Sequence, residues 1–122
     1  MSDSKFGKNS RLLSVADFSN LRIDSAVFKK SSLIVYYKKN SIGHSRLGIS
    51  VSKKIGNSPT RNRFKRILRE FYRKSPITKG LEFDILLVVS FTRSMADQEQ
   101  DKKESGLLHN VQEFLNMVAV AK

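Results

Sequence analysis

The positions of apolar and polar side chains predict two strands in the first half of the chain. Residues 32–39 form a β-branched and aromatic run, and residues 46–52 alternate, with apolar side chains on one side and glycine or serine on the other. Both patterns are typical of strands. Since residues 40–45 are polar and contain a glycine, we predict a turn there and a hairpin formed by the two strands. We also consider a short strand at residues 25–30.

Helical signals begin before the first strand and return after the second. Residues 14 to about 22 predict a helix, because Ser14 and Asp17 have the spacing of a capping box. A second helix is predicted from Ser58 as N-cap, with Pro59 at the first helical position, where its missing N–H costs nothing.

The second helix has two unlike faces. Its apolar stripe has the spacing i, i+3, i+4, i+7 and consists of Phe64, Ile67, Leu68 and Phe71. The opposite face is basic and polar and consists of Asn62, Lys65, Arg66, Arg69 and Arg73, with Arg61 and Arg63 on the flanks. One face is therefore expected to pack and the other to bind, and Pro76 and Gly80 are expected to end the helix.

The last third of the chain predicts one strand and one helix. Residues 83–91 contain five consecutive apolar residues, which predict a strand buried on both faces and central in the sheet. Residues 94–105 are polar and predict a loop or weak linker. Apolar residues at helical spacing in residues 107–118 predict a closing helix.

The predicted order is α, β, β, α, β, α, with the short extra strand as a fourth. Helices that cover a small mixed sheet give an α/β (α+β) two-layer sandwich. A length of 122 residues fits a single domain, residues 1–122, in which residues 1–10 and 94–105 are expected to be flexible. The second helix lies in a crossover between two strands, for which a right hand is the default.

The charge is concentrated in one part of the chain. The net charge is +12, so the expected partner is a polyanion. Residues 53–74 carry nine basic residues and one acid, or +8, while the rest of the chain carries +4. The usual explanation of a short charge run is a solvated face, but this density and uniform sign favour a binding surface.

Other features limit the class of protein. The chain has no cysteine, which excludes disulfides, thiolate metal sites and cysteine nucleophiles. The first residues include an acid and no apolar run, and no segment has the roughly 18 apolar residues of a membrane span. We therefore expect a protein of the cytoplasm that does not bind membranes.

Few residues offer catalytic chemistry. Glu82 and Asp84 form the only acidic pair beside the core, and solvated acids are a better explanation for them than a metal site. His44 lies in a predicted turn and His109 in the last helix, each without an apparent acidic partner. We find no catalytic constellation in the sequence.

Anion binding has more support. A Gly-Asn-Ser-Pro loop at residues 56–59 opens the second helix and offers backbone N–H groups and the positive end of the helix dipole to a phosphate. Arginine holds phosphate oxygens in a forked geometry, and Asn62 can read a base edge or a 2′-hydroxyl. Phe18 and Tyr36 are candidates for stacking on unpaired bases, although core packing explains Phe18 equally well.

Residues 46–57, with the sequence RLGISVSKKIGN, are followed by TRNRFKR at residues 60–66. These two segments resemble the signature of the bacterial ribonuclease P protein subunit, including its Arg-Asn-Arg motif. Weaker similarity extends to residues 11–18 and 83–85. Residues after Met95 match no motif of the family, and Arg22 and Ser25 stand where members often have an aromatic residue and a glycine, so we expect a more basic cleft.

The resemblance implies a small sandwich with a left-handed crossover, contrary to the default. It implies that a large RNA subunit, with Mg²⁺, hydrolyses the phosphodiester bond at the 5′ end of mature tRNA. The protein then supplies no catalytic residue and binds no membrane, and no obligate protein partner is implied. It binds the RNA subunit and holds the single-stranded 5′ leader of precursor tRNA between the first helix and the sheet.

The site residues divide into two sets under this resemblance. The RNA-binding set is Lys53, Lys54, Asn57, Arg61, Asn62, Arg63, Lys65, Arg66, Arg69 and Arg73. The leader-cleft set is Phe18, Tyr36, Arg46, Ser50 and Ser52. The alternative is a free-standing basic RNA-binding protein of the ribosomal type, and a nuclease that uses Glu82 and Asp84 is a weaker third hypothesis.

Overall fold

The computed structural model describes residues 14–78, 80–90, 92 and 98–121. It contains three helices and four strands, in the order α1 Val15–Ile23, β1 Ala26–Lys30, β2 Leu33–Lys39, β3 Arg46–Val51, α2 Ser58–Lys74, β4 Phe83–Val89 and α3 Gln100–Ala121. Two single 3₁₀ turns, Lys53–Ile55 and Pro76–Thr78, flank α2. Residues 1–10, predicted to be flexible, lie outside the described part of the chain.

The first helix begins at the predicted capping box. Ser14 Oγ accepts a hydrogen bond from the Asp17 N–H at 3.1 Å, and Asp17 Oδ2 accepts one from the Ser14 N–H at 3.1 Å. Each side chain thereby satisfies a backbone donor that the first turn leaves unpaired. The prediction of this helix is confirmed.

The sheet is mixed and has the strand order β1-β2-β4-β3. β1 and β2 form an antiparallel hairpin, with Ser31 at a positive φ of 54° in its turn. β4 lies antiparallel to β2 and parallel to β3. The short first strand and the central position of β4 are confirmed.

The predicted hairpin between residues 32–39 and 46–52 is wrong, because β4 lies between these strands. Residues 85–89 of β4 are apolar on both faces, and at the centre of the sheet four of these five side chains are buried. β3 carries small residues on one face, so an edge position leaves less apolar surface of β3 exposed to water. Residues 40–45 therefore span the width of β4 instead of forming a tight turn.

The second helix begins one residue earlier than predicted. Asn57, and not Ser58, is the N-cap, and its Oδ1 accepts from the Thr60 N–H at 3.1 Å. The helix ends at Lys74, before Pro76, as predicted. The connection from β3 through α2 to β4 is the predicted parallel crossover, and its left hand stays a prediction.

The larger core lies between the sheet and the layer formed by α2 and α3. From α2 it contains Phe64, Leu68 and Tyr72, and burial raises the pKa of the Tyr72 phenol to about 12. From α3 it contains Leu107, Val111, Phe114, Leu115 and Val118. These two layers are the predicted sandwich.

The opposite face of the sheet carries α1 and a smaller apolar cluster. Leu21 packs on Leu86 of β4, and Phe18, Tyr36 and Val88 surround them in half-buried positions. This cluster fixes α1 over part of that face.

The closing helix is longer than predicted, because residues 100–105 belong to α3 and not to a loop. These residues are polar, but they form the first turns of the helix. Glu104 stabilises these turns because it accepts hydrogen bonds from Gln100 and from Arg63 of α2. Among the described residues, no helix combines the length and the apolar character needed to cross a bilayer.

Candidate nucleic-acid interface

The outer side of α2 carries four basic side chains and one amide, which we call the α2 cationic face: Asn62, Lys65, Arg66, Arg69 and Arg73. It is opposite the buried stripe of Phe64, Leu68 and Tyr72, as the helical period requires. Within the described residues, Arg66 and Arg69 are exposed and form no ion pair, so their guanidinium groups are available to an external anion.

The loop before α2 folds tightly onto the first turn of the helix. A Cβ on Gly56 would lie 3.0 Å from Thr60 Cγ2, so glycine permits this approach. Arg61 then donates from Nε to the Gly56 carbonyl at 3.2 Å and from Nη2 to Ser58 Oγ at 3.0 Å. These bonds hold Arg61 at the helix N-terminus, beside the exposed Lys53 and Lys54.

The N-terminus of α2 offers fewer backbone donors than the sequence indicates. Pro59 has no N–H, the Thr60 N–H is bound by the Asn57 side chain, and the Arg61 N–H is bound by the Asn57 carbonyl. The side chain of Asn57 is therefore engaged as a cap. The lysine and arginine side chains are the main anion ligands of this region.

Arg63 of the Arg-Asn-Arg motif is engaged within the protein. Its Nε and Nη2 donate to the carboxylate of Glu104 on α3, at 2.5 and 3.3 Å. This pair raises the pKa of Arg63 and lowers the pKa of Glu104. It ties the α2 cationic face to the start of α3.

The sheet face on the side of α1 is covered at one end and open at the other. The strand register aligns three rows across β2, β4 and β3, which are Lys38, Asp84 and Arg46, then Tyr36, Leu86 and Gly48, then Ile34, Val88 and Ser50. The helix contacts the first two rows, through the ion pair of Asp17 with Arg46 and the packing of Leu21 on Leu86. The third row remains half-exposed.

We call the groove between α1 and this open row the sheet cleft. Phe18 and Tyr36 line it in half-buried positions, and Ser50 lies on its floor. Ser52 ends the floor and accepts at Oγ from the Lys54 N–H at 3.2 Å, which fixes the start of the turn that carries Lys53 and Lys54. Four of the five predicted cleft residues are thus on one surface, which runs toward the N-terminus of α2.

The fifth predicted cleft residue, Arg46, forms ion pairs with two carboxylates of the protein. It donates from Nε and Nη2 to Asp84 at 2.8 and 2.6 Å, and its Nη1 lies 3.4 Å from Asp17 Oδ2. The ion pairs join β3, β4 and α1 at the closed end of the cleft. The structure therefore gives Arg46 the role of positioning α1.

The guanidinium of Arg22 lies over the Tyr36 ring, 5.8 Å from its centroid. A cation at this distance is attracted to the negative face of the ring. The contact adds positive charge to the edge of the sheet cleft, in agreement with the prediction of a more basic cleft.

The carboxylates near the sheet do not fit a Mg²⁺ site. Asp84 uses both oxygens for Arg46, and its Oδ1 also accepts from Asn40 Nδ2 at 2.9 Å. Burial acts to raise the pKa of Asp84, but the hydrogen bonds from Arg46 and Asn40 outweigh it and hold the pKa below its usual value. Within the described residues, no three His, Asp or Glu side chains are grouped as metal ligands.

The expectation that His109 has no acidic partner is wrong. His109 Nε2 lies 3.4 Å from Glu113 Oε2, one helical turn away. The exposed position of His109 makes this a surface pair.

Sequence reasoning missed Glu104 and Gln100, the α3 residues beside the α2 cationic face. Arg63 and Glu104 are 41 residues apart, so no local pattern marks their contact. It also missed that Arg46 faces Asp84. The alternation of β3 and the position of Asp84 in β4 were visible, but pairing them requires knowing that these strands are neighbours.

A cationic helix face beside a half-open sheet face, on one small α+β domain, defines a class of basic proteins with an anion-binding surface. The ribonuclease P family profile matches residues 6–114 of this chain. The chain therefore belongs to the ribonuclease P protein family.

Individual relatives agree with this assignment. The ribonuclease P protein component of Thermotoga petrophila is 32% identical over 115 residues, which cover 93% of this chain and 92% of that protein. That of Lachnoclostridium phytofermentans is 41% identical over 71 residues, and the match spans 58% of this chain and only 61% of the relative. The structure of the Staphylococcus aureus RNase P protein superposes with a TM-score of 0.67 at 32% identity, over 84% of this chain and 93% of that one.

Proposed function

We propose that this chain is the protein subunit of ribonuclease P and assists the 5′-end maturation of tRNA by phosphodiester hydrolysis. The observation that carries the proposal is the arrangement of two surfaces on one domain. The α2 cationic face offers exposed arginines to a folded RNA. The sheet cleft beside it offers aromatic rings and hydroxyl groups to a single strand.

The first surface is assigned to the catalytic RNA subunit. Lys65 and Arg66 lie on one turn of α2 and Arg69 on the next, and these cations neutralise phosphates along a folded backbone. By lowering the repulsion between RNA segments, these cations also assist the binding of Mg²⁺ by the RNA subunit and the substrate. In this proposal the RNA performs the hydrolysis in the cytoplasm, and the protein holds no metal ion.

The second surface is assigned to the 5′ leader of precursor tRNA. The part of the sheet face that α1 leaves open exposes one row of side chains, which fits a single RNA strand and not a duplex. Phe18 and Tyr36 stack on leader bases, while Ser50 contacts the backbone or a 2′-hydroxyl. Mature tRNA has no leader, so this surface favours the precursor.

Replacing Phe18 with Ala tests this assignment. We expect the complex of protein and catalytic RNA to lose about tenfold in affinity for precursor tRNA, because base stacking on an aromatic ring contributes about 1 to 3 kcal/mol. Affinity for mature tRNA is expected to change by less than about twofold. Both affinities are measured by fluorescence anisotropy with end-labelled RNA.

Leu21→Ala is the matched control, because Leu21 lies on the same helix but is buried against Leu86. It is expected to lower the melting temperature without changing the ratio of precursor to mature affinity. An equal loss for both RNAs in Phe18→Ala would make Phe18 a core residue. A wild-type ratio near one would favour the free-standing RNA-binding protein.

A further inference from the structure

The carboxylate of Glu104 occupies the Nε–Nη2 edge of Arg63, one of the two forked edges through which a guanidinium binds a phosphate. Arg63 donates to it from Nε at 2.5 Å and from Nη2 at 3.3 Å. A guanidinium binds carboxylates and phosphates through this same forked pair of N–H groups. The contact therefore places an anion of the protein against the RNA-binding motif.

Glu104 is held in this position by its surroundings. Gln100 Nε2 donates to Glu104 Oε2 at 2.8 Å, and the Glu104 side chain is only 12% exposed, against 49% for Arg63. The Arg63 hydrogen bond lowers the pKa of Glu104, and the charge of Arg66 acts in the same direction. The carboxylate is therefore charged and oriented before any RNA arrives.

We propose that Glu104 competes with RNA phosphates for Arg63 and so sets the RNA affinity of the α2 cationic face. A phosphate that binds the Nε–Nη2 edge of Arg63 must displace the carboxylate, and for that contact the free energy of the Arg63–Glu104 pair is subtracted from that of RNA binding. Arg66 and Arg69, which have no such competitor among the described residues, bind phosphate without this cost. The inference rests on the proposed function for its assignment of Arg63 to RNA.

The test compares Glu104→Gln with Asp101→Asn in the full chain. Both variants remove one negative charge from the first turns of α3, but Asp101 is exposed and affects Arg63 only through its charge. The probe is a 20-nucleotide uridine RNA, with the catalytic RNA of a bacterial ribonuclease P as a second probe. Affinities are measured by anisotropy from 50 to 300 mM salt, and thermal unfolding checks that each variant is folded.

We expect Glu104→Gln to bind the uridine RNA about fivefold tighter than wild type, because one charged hydrogen-bonding group becomes available. Its plot of log K against log salt is expected to steepen by about 0.7, the value for one added phosphate contact. Asp101→Asn is expected to change affinity by less than about twofold. In an Arg63→Ala background, Glu104→Gln is expected to have no effect.

Gln100→Ala provides a second test that leaves the net charge unchanged. It frees Glu104 from its supporting hydrogen bond, so RNA binding is expected to tighten in the same direction by a smaller factor. If Glu104→Gln does not fold, tighter RNA binding by Gln100→Ala supports the competition and unchanged or weaker binding contradicts it.

Equal effects of Glu104→Gln and Asp101→Asn would overturn the proposal, since net charge would then explain both. Weaker RNA binding by Glu104→Gln would also overturn it and make Glu104 a residue that orients Arg63. If the chain fails to stimulate the catalytic RNA while Glu104→Gln still tightens uridine RNA binding, the proposed function fails and the competition stands.

Discussion

Replacing Arg66 and Arg69 together with Gln is expected to weaken binding to the catalytic RNA about 100-fold near 100 mM salt. Both side chains are exposed and form no ion pair within the described residues, so their loss leaves no buried group unpaired. A hydrogen bond to a charged group contributes about 1.5 to 3 kcal/mol, and two contacts at the low end of this range account for a loss of about this size. The slope of log K against log salt is expected to flatten by about 1.4 to 1.8, or 0.7 to 0.9 for each contact.

The matched control is Lys29→Gln with Lys39→Gln, which changes the net charge equally on exposed positions of β1 and β2 that form no ion pair among the described residues. We expect these replacements to weaken binding less than about threefold, because they alter only the long-range field. Similar losses in both double variants would show that net charge, and not the α2 cationic face, determines RNA affinity.

Replacing Asp84 with Ala is expected to destabilise the fold by about 2 kcal/mol, between the values for exposed and fully buried pairs. The Arg46 side chain is only 27% exposed and would lose both of its short hydrogen bonds to this carboxylate. Of the carboxylates that Arg46 contacts in the described residues, only Asp17 of α1, at 3.4 Å, would then remain. Urea unfolding followed by circular dichroism measures the change.

The effect of Asp84→Ala depends on pH in a defined direction. The folded-state pKa of Asp84 lies below its ordinary value of 3.8, so the pair stabilises the protein above that value. The contribution is lost as the pH falls through the folded-state pKa. The difference between wild type and variant is therefore expected at pH 7 and should shrink below pH 3.8.

Asp24→Ala serves as its control, because Asp24 pairs with Lys38 on the surface, where solvent screens the interaction. Little change in the unfolding midpoint is expected. If Asp84→Ala were as mild as Asp24→Ala, the Arg46 pair would not hold α1 on the sheet.

The elements of the fold could be predicted from local patterns, because their signals are local. The capping box of α1, the apolar stripe of α2 and the uniform apolar run of β4 each lie within a few residues. The pairing of β3 with β4 depends on which strand buries the most apolar surface when it lies at the centre of the sheet. That is a comparison between segments, and the short connection at residues 40–45 favoured the wrong partner.

The basic residues of the site could be predicted from the sequence, but the ion pairs that they form within the protein could not. The cations of α2 follow from its period, and Arg66, Arg69 and Arg73 are exposed while Lys65 is half-buried. The engagement of Arg63 by Glu104 and of Arg46 by Asp84 depends on contacts between residues far apart in sequence. These contacts separate the arginines that are available to RNA from those that are already bound.

The central claim is that the protein assists a catalytic RNA, and cleavage of precursor tRNA tests it most directly. The protein alone, a bacterial ribonuclease P RNA alone, and the two together are incubated with end-labelled precursor at low Mg²⁺. We expect efficient 5′-end cleavage only in the mixture. Cleavage by the protein alone, or no increase in rate when the protein is added to the RNA, would show that the protein does not assist a catalytic RNA.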